Sequence, residues 1–171
     1  MKITTFAAIY IGSYEVSLKI FELSAKKPIR EIDHVRARVE LGKDSYQKGY
    51  IGYELMEELG NVLAEYKKIM EGYRVDDYTA YAGGVFRDTK NELFVLDQLY
   101  IRTGIHIQVL SNSEHRFIGY KSVAFRQEFD EMTRQGAAVV DVGGGSLQIT
   151  LFSNGKVITT QHMVLGTMRL R

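Results

Sequence analysis

"AAVVDVGGGSLQITLF" (residues 137–152) sets three consecutive glycines between two apolar runs. A glycine turn of this kind lets something approach the backbone closely. A second stretch, "AAIYIGSYEVSLKIF" (residues 7–21), has the same shape. Moved forward by 131 positions, it lays Tyr10 on Asp141, Gly12 on Gly143 and Val16 on Leu147. Leu18 then meets Ile149, Ile20 meets Leu151 and Phe21 meets Phe152. The shift preserves the apolar–polar alternation on both sides of the turn. Such a repeat predicts two related units with a ligand between them, one glycine turn reaching it from each side.

The chemistry of Gly143-Gly144-Gly145-Ser146 is narrowed by the residues on its C-terminal side. A dinucleotide fingerprint needs a third spaced glycine and a helix. A hydrolase nucleophile elbow also leads into a helix. Here Gln148 occupies the last glycine position and the next segment alternates like a strand, which excludes both. Two readings remain. One is a tight hairpin that uses glycine for its backbone freedom. The other is a strand–turn–strand phosphate loop, whose backbone N–H groups form an anion-binding concavity with Ser146 adding a hydroxyl. Asp141 cannot face phosphate directly, because like charges repel. It suits a divalent cation, or a water on one, since Mg²⁺ takes oxygen ligands and few protein groups.

Working outward, residues 4–11 read as a buried strand, and Val16, Leu18 and Ile20 alternate with Glu15, Ser17 and Lys19 as a second. Pro28 and the lysines before it mark a turn, and 29–41 alternate as a long third strand. The period then becomes helical through Ile51, Leu55, Leu59, Val62, Leu63, Tyr66 and Met70, which predicts a helix over 50–71. The segment 78–86 reads as a strand running into a glycine turn. A helix at 88–102 comes next, with Asp88 or Thr89 as cap and Thr103-Gly104 as stop. A strand at 105–110 and a helix at 112–129 capped by Ser111 complete the alternation. The meander then restarts at 137–143, 146–152 and 156–164, with Asn154-Gly155 as hairpin turn. The order βββ-α-β-α-β-α-βββ implies an α/β unit with a mixed sheet over residues 1–132, and the opening meander of a second, truncated unit over 133–171. Unfinished strand edges there invite dimerisation or swapping.

Bulk properties exclude several classes. The 171 residues carry a net charge of +1, which builds no field for nucleic acid or membrane surface. Eleven tyrosines form no periodic stacking platform. With no cysteine, disulfides and thiolate metal sites are ruled out, which fits a cytoplasmic protein. No signal peptide or membrane-spanning run is evident. His34, His106, His115 and His162 lack metal-ligand spacing and read as structural or surface residues.

Five segments together resemble the exopolyphosphatase/guanosine-pentaphosphate phosphohydrolase family, within the actin-like, ribonuclease-H-like superfamily. "VVDVGGGSLQITLF" is similar to its second phosphate loop, usually D-I-G-G-G-S-T-E-L, and "AAIYIGSYEVSLKI" to its first, usually A-I-D-I-G-S-N-S. "YAGGVFRDTKN" resembles A-T-S-A-x-R-x-A-x-N, "VLSNSEHRFIGYKSV" resembles I-S-G-x-E-E-A-R-L-I-Y-x-G-V, and "LGTMRL" resembles L-G-S-V-R-L.

The resemblance implies a ribonuclease-H-like fold and hydrolysis of a phosphoanhydride. The substrate would be polyphosphate or guanosine penta- or tetraphosphate, with Mg²⁺ or Mn²⁺ as cofactor. It places Glu114 as the catalytic carboxylate and Asp141 at the metal and water position. Gly143, Gly144, Gly145 and Ser146 fall on the second phosphate loop, Gly12 and Ser13 on the first, and Arg87 on a phosphate-facing arginine. Family members run well past residue 171, so the resemblance implies a fragment that is inactive alone.

Four departures stand against it: Tyr10 replaces an aspartate, Tyr14 an asparagine, Gly83-Gly84 a Thr-Ser pair, and Gln148 a glutamate. They keep open a second class, a binding or regulatory module that retains the fold without turnover. From the residues alone, Ser111-Asn112-Ser113-Glu114 also has the pattern of a capping box.

Overall fold

A computed structural model describes residues 3–125 and 129–170, with the side chain of Asp130 outside the description. The chain divides into two compact units between Val109 and Leu110. This division falls earlier than the 132/133 boundary expected from the repeat, because the last two helices belong with the second meander.

In the first unit, β1 (Thr4–Ile11), β2 (Glu15–Ser24) and β3 (Lys27–Arg38) form the expected antiparallel meander. Pro28 does not end a strand but lies inside β3. It is tolerated there because β3 is the sheet edge, where a missing N–H breaks no internal ladder. The ladder shifts register between Ile20 and Phe21, so β3 carries a bulge there. Two parallel strands, β4 (Asp77–Ala82) and β5 (Gln108–Val109), complete a five-stranded mixed sheet in the order β3-β2-β1-β4-β5. This is the ribonuclease-H-like, actin-like architecture.

Two short helices, which the periodicity did not predict, interrupt the alternation. Leu41–Lys48 forms α1, too short to show a period, with Ser45 and Asp44 buried and polar. Gly84–Arg87 forms α3, so the strand expected through 86 stops at Ala82.

Helix α2 (Tyr53–Gly72) covers one face of the sheet. Its Leu59, Leu63, Tyr66 and Met70 recur at helical spacing and are buried with Ala7, Ile9 and Ile11 of β1 and Val16, Leu18 and Ile20 of β2. The Tyr66 hydroxyl donates to the Val16 carbonyl at 2.7 Å, which satisfies a polar group inside an apolar layer. Thr89 is not a cap. Its hydroxyl donates to the Val85 carbonyl at 2.6 Å, and α4 (Glu92–Thr103) starts after Asn91. Gly104 ends α4 in the left-handed region, as its position predicted.

In the second unit, α5 (Asn112–Ala124) comes after Ser111, and α6 (Phe129–Arg134) precedes the second meander. The helix expected to run through 129 crosses residues 126–128, which lie outside the described residues. Strands β6 (Ala137–Val142), β7 (Leu147–Ser153) and β8 (Lys156–Met163) form a separate antiparallel sheet. Asn154 and Gly155 both take positive φ, as a two-residue hairpin turn requires. Tyr120 stacks on Phe152, and Phe129 meets both rings edge-on, giving the unit a small aromatic core.

Candidate functional site: two glycine turns built alike

The repeat is present in register as well as in sequence. Tyr10 pairs with Ser17 and Ile11 with Val16; Asp141 pairs with Gln148 and Val142 with Leu147. The turn bond also repeats: Gly12 N–H donates to the Glu15 carbonyl at 2.9 Å, and Gly143 N–H to the Ser146 carbonyl at 2.9 Å. Both meanders then return a Leu-Gly segment onto their own turn. In the first, Val39 N–H reaches the Tyr14 carbonyl and Gly42 N–H the Ser13 carbonyl. In the second, Thr167 N–H reaches the Gly143 carbonyl at 3.1 Å and Met168 N–H the Gly144 carbonyl at 2.9 Å. The Arg169 guanidinium takes the Gly145 carbonyl at 2.8 Å.

These three contacts orient the second turn. In a trans peptide the N–H points opposite to the C=O of the same unit, and no peptide here is cis. Carbonyls 143, 144 and 145 are all held by the 167–169 segment. The N–H groups of Gly144, Gly145 and Ser146 therefore face the other way, as a row of donors. Backbone N–H groups turned to one side can face an anion. Sequence alone assigns no role to the clamp formed by residues 166–169. Its signal is the "LGTMRL" segment, whose purpose becomes visible only when it folds back.

Asp141 is exposed at the strand end, directly across from Gln148. Both line a cavity of about 280 Å³ between Gly119, Tyr120 and Ser122 of α5 and the β6–β7 ladder. The Gln148 Oε1 atom is buried and has no hydrogen-bond partner among the described residues. Among the described residues, no group of three or more His, Cys, Asp or Glu side chains could hold a metal. Two oxygen donors suit a hard cation that keeps most of its water and is completed by phosphate, which is the habit of Mg²⁺.

Glu114 forms a full capping box. Its Oε2 accepts from Ser111 N–H at 2.8 Å, and its own N–H donates to Ser111 Oγ at 3.2 Å. The bond from the Ser111 backbone, then that from its side chain, holds the carboxyl below the usual glutamate range. It is ionised near neutrality.

The first turn differs in its side chains. Ser13 Oγ and Tyr46 Oη lie 2.5 Å apart, so the serine hydroxyl is engaged within the fold. A Cβ placed on Gly83 would stand 2.6 Å from Tyr10 Oη, and one on Gly84 would stand 2.9 Å from an Arg87 terminal nitrogen. The phenol of Tyr10 and the guanidinium of Arg87 thus occupy the room that side chains at 83 and 84 would need. Arg38 lies over the Tyr14 ring, 5.0 Å from its centroid, and is paired with Glu40.

Glu114, Asp141, Gly143, Gly144, Gly145 and Ser146 fall in the second unit, and Gly12, Ser13 and Arg87 in the first. Tyr46, Gly166 and Gln148 join the candidate set from the structure.

Sequence and structure comparisons agree on the relatives. The Ppx/GppA phosphatase family matches residues 20–171. A bifunctional 3-dehydroquinate synthase/phosphatase of Fusobacterium nucleatum is 25% identical over 134 residues, 77% of this chain and 20% of that protein. The Aquifex aeolicus member of the Ppx/GppA family superposes with a TM-score of 0.80 at 27% identity, covering 99% of this chain and 54% of that one. An exopolyphosphatase from Cytophaga hutchinsonii shares the fold with a TM-score of 0.88 at 20% identity, covering 98% and 52%. The chain thus spans about half the length of these solved structures and a fifth of the Fusobacterium protein. Among the described residues no helix is long and apolar enough to cross a membrane. The matched span covers the second glycine turn and its sheet, the Glu114 helix and the Leu-Gly segment that returns onto that turn, and the chain belongs to the Ppx/GppA phosphatase family.

Proposed function

We propose that the protein of which this chain is part hydrolyses a phosphoanhydride, releasing terminal phosphate from inorganic polyphosphate or guanosine pentaphosphate. The observation that carries this reading is that the N–H groups of Gly144, Gly145 and Ser146 are turned away from the 167–169 segment that holds their carbonyls. They present partial positive charge to a phosphoryl group at no cost of reorganisation. Asp141, with Gln148 opposite, would hold Mg²⁺ or Mn²⁺, which when bound neutralises charge on the phosphate oxygens.

In the step itself, a water oxygen bonds to the terminal phosphorus as the bridging P–O bond breaks. The water proton passes to the Glu114 carboxylate through Oε1, since Oε2 is engaged at the helix cap. In the first unit, the planar guanidinium of Arg87 is of a kind that suits phosphoryl oxygens. Full-length protein with Mg²⁺ or Mn²⁺ should release phosphate from at least one of the two substrates. No release from either would overturn the reading.

A second reading is favoured by Tyr10 and by the Ser13–Tyr46 contact, which alter the first turn. In it the family fold binds phosphate or nucleotide as a regulatory module without turnover. Saturable binding with no release would support it, and turnover lost in Glu114→Gln would remove it.

A further inference from the structure

Helix α1 links two parts of the first unit through the hydroxyls of two adjacent residues, Ser45 and Tyr46. Tyr46 reaches the first glycine turn, where its Oη lies 2.5 Å from Ser13 Oγ. The start of the helix meets the same residue, since Gly42 N–H donates to the Ser13 carbonyl at 2.8 Å. One short helix therefore holds Ser13 at both its backbone and its side chain. Ser45 ends on a different element. Its hydroxyl donates to the Val85 carbonyl of α3 at 2.6 Å. Thr89 Oγ1 lies 2.6 Å from the same carbonyl and 3.1 Å from Ser45 Oγ. Ser45 and Thr89 are both buried, so a partner lost there is costly to replace.

An isolated helix of eight residues is marginal in water, so α1 takes its support from what it touches. Asp44 accepts from Gly52 N–H at 2.8 Å, which ties the helix to the loop after it. In that loop, Lys90 N–H donates to the Gly49 carbonyl at 2.9 Å. Ile51 N–H donates to Asn91 Oδ1 at 3.0 Å, and Asn91 Nδ2 donates back to the Ile51 carbonyl at 2.8 Å. Residues 41–52 are thus docked on the 85–91 stretch at several points, and Tyr46 meets Ser13 from a fixed support. Ser13 itself is half-buried, so its side chain is not sealed in the core. A serine Oγ has three staggered positions, and a partner held at 2.5 Å selects one of them.

We propose that Tyr46 is a positioning residue, which fixes the Ser13 hydroxyl in the direction that serves a phosphoryl oxygen, while Ser45 and Thr89 anchor the helix that carries it. This rests on the phosphoanhydride reading, in which Ser13 meets phosphate, and adds a residue that touches no substrate. A side chain already ordered in the free protein need not be ordered on binding, and affinity rises accordingly.

The test is calorimetric binding of inorganic tripolyphosphate to the full-length protein in Mg²⁺. Tyr46→Phe keeps the ring and removes only the hydroxyl. It should weaken binding about fivefold, the worth of one hydrogen bond. In a Ser13→Ala background the same substitution should change nothing beyond twofold, because the residue it acts through is gone. Ser45→Ala/Thr89→Val keeps Tyr46 but cuts α1 from the Val85 carbonyl, and it should weaken binding by a similar factor. A merely structural Tyr46 would weaken binding equally in both backgrounds, and that result would overturn the proposal. So would Tyr46→Phe binding within twofold of wild type. Tighter binding by Tyr46→Phe would overturn it too, since the phenol would then be withholding Ser13 from phosphate. Wild-type affinity in Ser45→Ala/Thr89→Val would overturn the anchoring by α1. Each of these outcomes leaves the phosphoanhydride reading intact, whereas a wild-type protein that binds no tripolyphosphate would overturn that reading as well.

Discussion

Gly166 packs its α-carbon directly against the Gly144 carbonyl, and a Cβ there would collide with the backbone of Gly144 and Gly145. The groups in the way are peptide units, which cannot swing aside as a long side chain can. Gly166→Ala should therefore push the 167–169 segment off the turn. Overpacking of this kind costs about 1–3 kcal/mol. Urea unfolding should show the loss, and phosphate binding should weaken with it because the N–H row loses its orientation. A variant with wild-type stability and binding would refute the clamp.

The Glu114 cap and its candidate role as base can be separated. Glu114→Gln keeps an oxygen able to accept from Ser111 N–H but cannot take up a proton. It should leave helix content by circular dichroism unchanged while turnover falls by roughly a hundredfold or more. Ser111→Ala should do the reverse, costing about 1 kcal/mol of stability with little effect on the chemical step. Equal losses of stability and turnover in both variants would make Glu114 a cap alone.

Glu40 is buried between Lys43 and Arg38, and those two bonds, Lys43 first, hold its carboxyl down at about 2. A folded-state value below the unfolded one stabilises the fold above the unfolded value of 4.5. That contribution is lost as pH falls from 4.5 through about 2. The urea midpoint should drop across this window in wild type, and Glu40→Gln should flatten the drop. An unchanged acid limb in the variant would assign it to other carboxylates.

Tyr66 responds to base. Burial pushes its phenol up to about 12, against an ordinary value of 10.0. A raised folded value means the stabilisation is complete below pH 10 and is lost as pH climbs through about 12. Tyr66→Phe should remove that alkaline transition. At neutral pH it should cost about 1 kcal/mol, since the Val16 carbonyl loses its 2.7 Å donor. Denaturant titrations at about pH 7 and about pH 11, either side of the unfolded value, distinguish the two effects.

The long periodic elements were legible because their side chains declare a face. Leu59, Leu63, Tyr66 and Met70 repeat at helical spacing, and Ile9, Ile11, Val16, Leu18 and Ile20 alternate. The short helices α1 and α3 were not, since eight residues and four residues show no reliable period. Pro28 misled for a related reason: its cost depends on whether its strand lies at an edge, and strand order is not a local property. At the site, the glycines, Asp141 and the Ser111–Glu114 box could be read from residue type and spacing. The parts played by Tyr46, Gly166 and Gln148 could not, because each acts on a partner distant in sequence or across a ladder.

By itself, then, the sequence determined the repeated hairpin, its register and the family, since alternation and glycine placement are local constraints that survive divergence. Only the tertiary structure decided which way the peptide units of 143–146 face. It alone showed that Tyr10 and Gly83 share one space. Both depend on returning segments and neighbouring strands that bring remote backbone within hydrogen-bond or contact distance, and no spacing along the chain encodes that.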